Sequence, residues 1–447
     1  MIQEAVAPTV TAPKKIINAW CMYDWANSVY SLVITTTFFP IYFIASTAAA
    51  NPGNGDEVYF FGRSFLNSAL YNYAIAGAYL LIALAYPILT SIADTRGMKK
   101  QFMRFFCYLG GTGCALLYFF TGDNVEYGVL FFMIGAIGFS GSLVFYNAYL
   151  PEIAAEPDRD RISARGFSFG YIGSVLLQLI GFALVVLMPG KEDMASRITF
   201  LLVGIWWIGF AQISFRGLPR QERILVQGNK GIFTDGFREM RNVYRQVRHM
   251  PVLKRFLRGF FFYSMGVQTV MLAATLFGSK LLGLDQTKLI ITIVLIQLVA
   301  ILGAWAMSRL SAVFGNFRVL IGVVFVWILI CIAAYYTAYE KEQGGDPEML
   351  FYGLAAAVGL VMGGIQSLSR STYAKLMPET KDTASFFSYY DFTEKVAIVI
   401  GIFTFGYIEE LTAASGGMKN SVLALIVFFV IGIIWLYSAL KKQQQKA

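Results

Sequence analysis

WCMYDWANSVYS, residues 20–31, is the stretch that decides the fold class, because it places polar groups inside an apolar segment long enough to cross a bilayer. It holds Asp24, and Tyr23, Asn27 and Tyr30 recur at helical spacing, so these three side chains share one face of a helix. A helix that faces only lipid has no use for such groups. The stretch therefore predicts a membrane-spanning helix that lines a wet cavity.

The composition of the 447 residues indicates the same environment. Hydrophobic residues make up 57% of the chain and charged residues 14%, whereas soluble domains carry about 25% charged residues. The net charge of +9 does not indicate a nucleic-acid partner, because the basic residues alternate with apolar segments instead of forming one patch. The cysteines lie in apolar segments without disulfide or metal-ligand spacing, so we expect no metal and no cofactor.

Twelve apolar segments have the length of a membrane span. They lie near residues 17–45, 67–90, 102–121, 127–150, 166–189, 198–216, 257–282, 288–309, 317–339, 349–374, 386–409 and 420–440. The longest polar segment divides them into six and six. We therefore predict an all-helical membrane protein with one six-helix bundle in residues 1–217, a cytoplasmic linker in residues 218–256 and a second six-helix bundle in residues 257–447.

The basic residues predict the orientation of these spans. Lys and Arg concentrate in alternate loops, for example at Lys99, Lys100, Arg161 and Arg165, and such loops face the cytoplasm. The alternation predicts a multi-pass protein of the plasma (inner) membrane with both termini in the cytoplasm. We expect it to be a monomer in contact with membrane lipid.

The linker predicts a basic amphipathic helix. Arg238, Arg241, Arg245 and Arg248 alternate there with apolar residues at helical spacing, which is typical of a helix on the surface of the inner leaflet. We interpret this helix as a connecting element, with a regulatory role as the alternative. His249, the one histidine of the chain, lies in the same segment. We assign it no catalytic role and predict that the protein is not an enzyme.

The charged residues inside the predicted spans are functional candidates, because each costs several kcal/mol in lipid. Asp391 and Lys395 are four residues apart and can pair on one helix face; alternatively, Lys395 binds a substrate carboxylate. Asp24 either accepts fixed hydrogen bonds from its neighbours, or receives a substrate amine or carries a coupling proton. Asp391 and Glu394 are the other candidates for proton coupling.

Further polar residues join these charges in the predicted cavity. QSLSRS at residues 366–371 lies in the tenth span, and Asn147 lies at the end of the fourth. The predicted substrate-binding residues are Asp24, Asn27, Tyr30, Asn147, Gln366, Arg370 and Lys395. The seventh span adds Tyr263, Gln268 and Thr269 as secondary candidates.

Several of these segments resemble the vacuole-effluxer branch of the major facilitator superfamily. They are YDWANS at 23–28, YNAYLPEI at 146–153, SARG at 163–166 with GYIG at 170–173, QSLSRS at 366–371, and FF at 386–387 with YD at 390–391 and Lys395. The resemblance implies two six-helix bundles that give alternating access to one substrate site. For the autophagy-related member of yeasts it implies export of amino acids from the vacuole.

The loop after the second span resembles the signature loop of the same superfamily. Asp94 and Gly97 match that loop. The signature loop has a basic residue directly after its Asp, whereas this chain has Thr95 at that position and its basic residue, Arg96, one place later. The resemblance implies that Asp94, Arg96 and Gly97 form a gate on the cytoplasmic side.

These observations predict a secondary active or facilitative transporter of small solutes, with amino acids or small peptides as the substrates and efflux as the direction. A sugar or drug efflux transporter and a flippase for lipids or cell-wall precursors are the alternatives of the same fold. No phosphate-binding loop for ATP occurs in the sequence, which argues against a primary pump.

Overall fold

The structure is a computed structural model. It describes residues 8, 10–50, 56–219, 232–284, 286–412 and 416–445. The described residues form helices and one short β-hairpin. Ten helical segments are long and apolar enough to cross a membrane. Two further long helices, Pro251–Leu276 and Thr383–Leu411, lie outside that set, and the second of them carries the charged residues Asp391, Glu394 and Lys395.

The chain separates into two compact units, and the first holds residues 13–147 and 169–219 of the described chain. Its elements are α1 (Lys14–Val29), a π-helical segment (Tyr30–Phe38), α2 (Phe39–Ala50), β1 (Glu57–Phe60), β2 (Arg63–Leu66), α3 (Asn67–Arg96), α4 (Lys99–Leu116), a 3₁₀ turn (Leu117–Phe119), α5 (Val125–Ala148), α7 (Arg159–Leu187) from Phe169 onward, and α8 (Glu192–Gly217). The π-helical segment joins α1 and α2 into one continuous helical segment, Lys14–Ala50.

The second unit holds the described residues before Pro13, residues 148–168 and the described residues from 232 to 445. Its elements are α6 (Leu150–Ile153), a 3₁₀ turn (Glu156–Asp158), the first ten residues of α7, α9 (Ile232–His249), α10 (Pro251–Leu276), a π-helical segment (Phe277–Leu281), α11 (Gln286–Phe314), α12 (Asn316–Glu342), α13 (Glu348–Leu376), α14 (Thr383–Leu411) and α15 (Met418–Gln444). A segment from the first half of the sequence thus packs with the second half.

The hairpin β1–β2 is closed by a two-residue turn at Phe61 and Gly62. Both residues have positive φ angles, 46° and 75°, which is the conformation that tight hairpin turns require. The strands pair antiparallel with Phe60 opposite Arg63. The Phe61 amide also donates to the Glu126 carboxylate at 3.1 Å, which ties the hairpin to the start of α5.

Aromatic packing and close helix contacts build the core of the first unit. Phe39 stacks on Phe132 with ring centroids 4.3 Å apart. Gly110 on α4 and Gly138 on α5 lie backbone to backbone, because a Cβ atom on Gly138 would overlap the Gly110 main chain. Without a hydrophobic driving force between helices in lipid, such small residues allow the close packing that holds spans together.

The same device joins α11 and α13 in the second unit. A Cβ atom on Gly303 would overlap the carbonyl oxygen of Leu360, and one on Gly363 would overlap that of Ala300. Gly359 faces α11 in the same way. These three glycines lie along one contact line, so α11 and α13 approach each other more closely than side chains would allow.

Helix α9 lies where the sequence predicts the basic amphipathic helix. Val243 and Val247 are buried, and they form the face on which α9 packs against α10 and α14. Arg241, Arg245 and Arg248 are exposed. The predicted linker also includes residues 220–231, which lie outside the described residues.

Candidate functional site

Asp24 is buried on α1 and accepts a hydrogen bond from the Tyr146 hydroxyl of α5 at 2.7 Å. The Tyr146 ring stacks on Trp20 with centroids 4.5 Å apart, and the Trp20 indole donates to the Tyr146 carbonyl at 3.1 Å. The carboxylate is therefore oriented by a hydroxyl that is itself held in place by ring stacking. This arrangement presents one fixed acceptor inside the first unit.

Asn27 of α1 and Tyr30, the first residue of the π-helical segment, are buried in the interior of the same unit. Tyr30 is fully buried between Phe139 and Trp207, with ring centroids 5.3 Å and 6.0 Å away. Its hydroxyl donates to the Phe132 carbonyl at 3.4 Å. Asn27 is also fully buried, and within the described part of the chain its amide has no hydrogen-bond partner. A buried amide of this kind is a place for water or a ligand to bind.

Glycines of α7 allow that helix to lie directly against α1. A Cβ atom on Gly170 would overlap the Ser28 hydroxyl, and one on Gly173 would come within 2.8 Å of the Trp25 carbonyl oxygen. The GYIG stretch at residues 170–173 thus has a packing role: it brings α7 to the face of α1 that carries Ser28.

Helix α14 carries a mostly buried ion pair in the second unit. The Lys395 ammonium lies 3.0 Å from a carboxylate oxygen of Glu394, and the two side chains are 6% and 20% exposed. The Gln268 amide of α10 donates to the other carboxylate oxygen of Glu394 at 3.2 Å. Sequence spacing suggested Asp391 as a partner of Lys395; Glu394 is a partner that the spacing did not indicate.

Hydroxyl groups and rings of α10, α13 and α14 contact one another in the same unit. The Tyr263 and Ser369 hydroxyls are hydrogen-bonded at 2.7 Å. The Tyr390 ring lies between Phe260 and Tyr373, with centroids 4.2 Å and 4.9 Å away. Such rings hold helix α14 in a defined rotation, which sets the direction of Glu394 and Lys395.

Arg370 is buried and binds the segment of residues 148–168. Its guanidinium donates to the Ser163 hydroxyl at 3.0 Å and to the Ser163 carbonyl at 2.9 Å. It also lies over the Phe167 ring, 4.2 Å from the centroid. The Ser163 hydroxyl donates in turn to the Ser367 carbonyl at 2.8 Å. The SARG and QSLSRS stretches therefore form one contact.

Asp160 forms a second contact of the same segment that sequence reasoning missed. Its carboxylate accepts from Lys375 at 2.6 Å, Asn316 at 2.8 Å and Ser311 at 2.9 Å. Nearby, the Arg159 guanidinium donates to the Ala374 carbonyl at 2.8 Å. The available signal in the sequence was an acidic residue in a basic loop. That signal does not identify the partners of Asp160, which lie more than 150 positions further along the chain.

The predicted gate residues lie at the turn between α3 and α4. Asp94 pairs with Lys99 at 3.0 Å, and both side chains are almost fully buried. Gly97 ends α3 with a φ of 63°, a left-handed conformation that favours glycine. Arg96 is exposed. Within this unit Lys99 is an ion-pair partner of Asp94. The sequence analysis had not indicated Lys99 as a gate residue.

The remaining predicted residues fall into the two units separately. Asn147 is buried at the end of α5, and Gln366 is half-buried on α13. Thr269 is buried on α10, and its hydroxyl has no hydrogen-bond partner in the part of the chain that the structure describes. In the described ranges, no group of three or more His, Cys, Asp or Glu side chains could hold a metal ion.

Comparison with known proteins identifies similar chains. The family model "Vacuole effluxer Atg22 like" matches residues 12–447. The "Uncharacterized MFS-type transporter YxiO" of Bacillus subtilis is 32% identical, with 93% of each chain covered. "Autophagy-related protein 22" of Gibberella zeae is 23% identical, with 94% of this chain and 79% of that one covered. The sequence-based prediction of the family is confirmed.

Solved structures show the fold. The human organic anion transporter MFSD10 superposes with a TM-score of 0.70 at 12% identity, covering 95% of this chain and 99% of that one. The proton:xylose symporter XylE gives a TM-score of 0.70 at 12% identity, covering 95% of each. At such low identity these similarities establish the helical major facilitator fold and no shared substrate.

Proposed function

Because the chain belongs to the Atg22-like vacuole effluxer family of the major facilitator superfamily, we propose that it exports amino acids or small peptides across a membrane by alternating access. The transporter is secondary active or facilitative. The observation that supports this substrate class is the ion pair of Glu394 and Lys395, neighbours on α14 that are mostly buried and bridged to α10 by Gln268.

A zwitterion is suited to this site, because it can replace both partners of the Glu394–Lys395 ion pair. Opposite charges held in a poorly solvated site are stable only while each has a partner. An amino acid supplies both partners at once: its carboxylate takes the place of Glu394 at Lys395, and its ammonium takes the place of Lys395 at Glu394. A sugar offers no charge for either group, so it cannot replace either partner, and opening the ion pair for it would cost several kcal/mol.

The first unit contributes a further anion, Asp24, for a substrate amine or a coupling proton. We propose that the substrate-binding residues are Asp24, Asn27, Tyr30, Asn147, Gln366, Arg370 and Lys395. Asp24, Asp391 and Glu394 are the candidates for proton coupling, because a carboxylate that exchanges partners during transport is able to take up a proton in one state and release it in another.

The topology is part of the same proposal. The ten apolar segments together with α10 and α14 make twelve spans. Both termini lie in the cytoplasm, the protein resides in the inner membrane as a monomer, and Asp94, Arg96 and Gly97 act as the cytoplasmic gate. The basic residues of alternate loops support this orientation.

Uptake into proteoliposomes by the full chain tests the substrate class. A panel of radiolabelled amino acids and dipeptides is compared with xylose and a cationic dye, with and without a pH gradient. Wild-type protein is expected to move at least one amino acid or dipeptide. Lys395→Met should lower uptake at least roughly tenfold, because a charge-assisted hydrogen bond is worth about 1.5–3 kcal/mol.

Lys419→Met is the matched control, because Lys419 also pairs with a carboxylate, that of Glu342 at 2.6 Å, but outside the proposed site. Its uptake should stay near the wild-type level. Transport of xylose or dye without any amino acid or peptide would refute the substrate class. Unchanged amino-acid uptake by Lys395→Met would refute the role of the ion pair and leave the transporter assignment standing.

A further inference from the structure

The exposed apolar face of α15 ends at a lysine. Val427, Val430, Ile434 and Tyr437 are 42–59% exposed and recur at helical spacing, so they form one stripe along the helix. Lys441 continues this stripe one turn further and is also exposed. Because α15 has the length and hydropathy of a membrane span, the stripe faces lipid. Its change from apolar to cationic side chains marks the level of the lipid head groups.

Helix α10 brings two arginines to this end of α15. The Arg255 guanidinium donates to the Ser438 carbonyl at 2.9 Å. Arg258, one turn further along α10, lies over the ring of Trp435, one turn back along α15, and is 4.5 Å from the ring centroid. The two helices are therefore antiparallel here, and cations from both meet beside the end of the lipid-facing stripe.

Aromatic rings hold two of these cations without neutralising them. The Lys441 ammonium lies over the Tyr437 ring, 4.8 Å from its centroid, and such a cation–π contact leaves the positive charge in place. Residues 240–284, which include α10, and residues 411–447, which include α15, contain no Asp or Glu. We call Arg255, Arg258 and Lys441 the basic cluster. An anion beside it meets positive charge that neither helix compensates.

We propose that the basic cluster binds the phosphate of an anionic phospholipid whose acyl chains lie along the exposed stripe of α15. Guanidinium and ammonium groups donate charge-assisted hydrogen bonds to phosphate oxygens, and the stripe provides the apolar surface that acyl chains cover. A choline head group adds a cation of its own, which the basic cluster repels. The site requires that α10 and α15 cross the membrane, as proposed above, and it is independent of the transported substrate, because lipid binding is measured without transport.

Native mass spectrometry of the full chain in detergent tests the proposal. Dioleoyl phosphatidylglycerol and dioleoyl phosphatidylcholine are titrated separately, and the lipids bound per protein are counted. The wild type should bind phosphatidylglycerol with a Kd at least about fivefold below that for phosphatidylcholine. Arg258→Gln combined with Lys441→Gln should raise the Kd for phosphatidylglycerol roughly tenfold or more, because each cation near an anionic lipid contributes a factor of about five.

The matched control is Arg309→Gln combined with Lys419→Gln, which removes the same two charges. Arg309 also lies over a tryptophan ring, at 4.0 Å, and Lys419 over a tyrosine ring, at 5.7 Å. Arg309 precedes the start of α12 and Lys419 pairs with Glu342 at its end, so a helix of 27 residues separates the two cations. This control should keep the wild-type preference for phosphatidylglycerol. An equal loss in both double variants would overturn the proposal, because net charge alone would then account for the binding.

Trp435→Leu combined with Tyr437→Leu is the second variant, and it answers the question if the charge variant does not fold. It keeps every cation but removes both rings, so the Kd for phosphatidylglycerol should rise at least about threefold. Thermal unfolding in lipid-free detergent checks the fold of each variant. Equal Kd values of the wild type for the two lipids, an unchanged Kd in the folded variants, or displacement of phosphatidylglycerol by an equal concentration of inorganic phosphate would overturn the proposal.

Discussion

Replacing Asp160 by Asn removes one negative charge from the contact between the start of α7 and the helices α11, α12 and α13, while the shape of the side chain is kept. Asp160 is 4% exposed. One carboxylate oxygen accepts from Lys375 at 2.6 Å and Ser311 at 2.9 Å, and the other accepts from Asn316 at 2.8 Å. All three partners donate, so the amide nitrogen of an asparagine must face a donor in either orientation.

The expected loss of stability follows from the burial of the partners. Removing one member of a buried ion pair costs about 3–5 kcal/mol, because the other charge is left uncompensated. The Lys375 side chain is 19% exposed and keeps the Asn316 carbonyl oxygen at 3.2 Å. These two facts reduce the expected destabilisation by Asp160→Asn to about 2–3 kcal/mol.

A double-mutant cycle measures this contact. Asp160→Asn, Lys375→Met and the double variant are purified in one detergent, and their thermal unfolding is compared at a single scan rate, because unfolding of such proteins is often irreversible. Each single variant should melt below the wild type. The melting temperature of the double variant should fall by clearly less than the sum of the two single decreases, because the double variant leaves no unpaired charge.

The control is Glu342→Gln at the exposed pair with Lys419, where the Glu342 side chain is 44% exposed. An exposed ion pair is worth about 0–1 kcal/mol, so the melting temperature should hardly change. Additive losses in the Asp160 and Lys375 cycle, or an equal loss in Glu342→Gln, would refute the reasoning that a buried charge pair stabilises this contact.

Two further predictions concern packing and the carboxylate of α1. Gly363→Ala should lower the melting temperature, because the new Cβ would overlap the Ala300 carbonyl oxygen. The control is Gly322→Ala on α12, which has open space around the new Cβ and should be neutral or slightly stabilising. Equal melting temperatures of the two variants would contradict the close contact between α11 and α13. Tyr146→Phe should cost about 1–3 kcal/mol, since it removes the hydroxyl that donates to buried Asp24. Thermal unfolding checks both, and the loss on Tyr146→Phe should shrink in an Asp24→Asn background.

The family and the helical fold were predictable from the sequence, because both depend on local signals. Every backbone polar group must be paired within a span in lipid, so a long apolar segment can only be a helix. The helix α9 was predictable for a similar reason: its arginines recur at helical spacing, and Val243 and Val247 occupy the opposite face. Helix α14 shows the limit of this signal, because its charged residues lower the hydropathy by which a span is recognised and at the same time make it a candidate for function.

The partners of the candidate site were less predictable. Sequence placed Asp24 inside a span, but its donor Tyr146 lies 122 positions away. Helical spacing indicated Asp391 as a partner for Lys395, but it did not indicate the neighbouring Glu394, whose carboxylate lies 3.0 Å from the Lys395 ammonium. Spacing along an ideal helix gives the face of a side chain; the actual contact also depends on the rotamers of long side chains and on the amide of Gln268 from another helix.

By itself the sequence determined that this protein is a helical membrane protein of the vacuole effluxer family, because hydropathy and short motifs reflect the environment of each segment. Tertiary structure alone decided the contact of residues 148–168 with α12 and α13, the pairing of Asp94 with Lys99, and the contact of Arg255 and Arg258 with the end of α15. These features depend on the rotation and close approach of distant helices. Many weak contacts between helices together determine that approach, and their summed energy cannot be predicted from any local stretch of sequence.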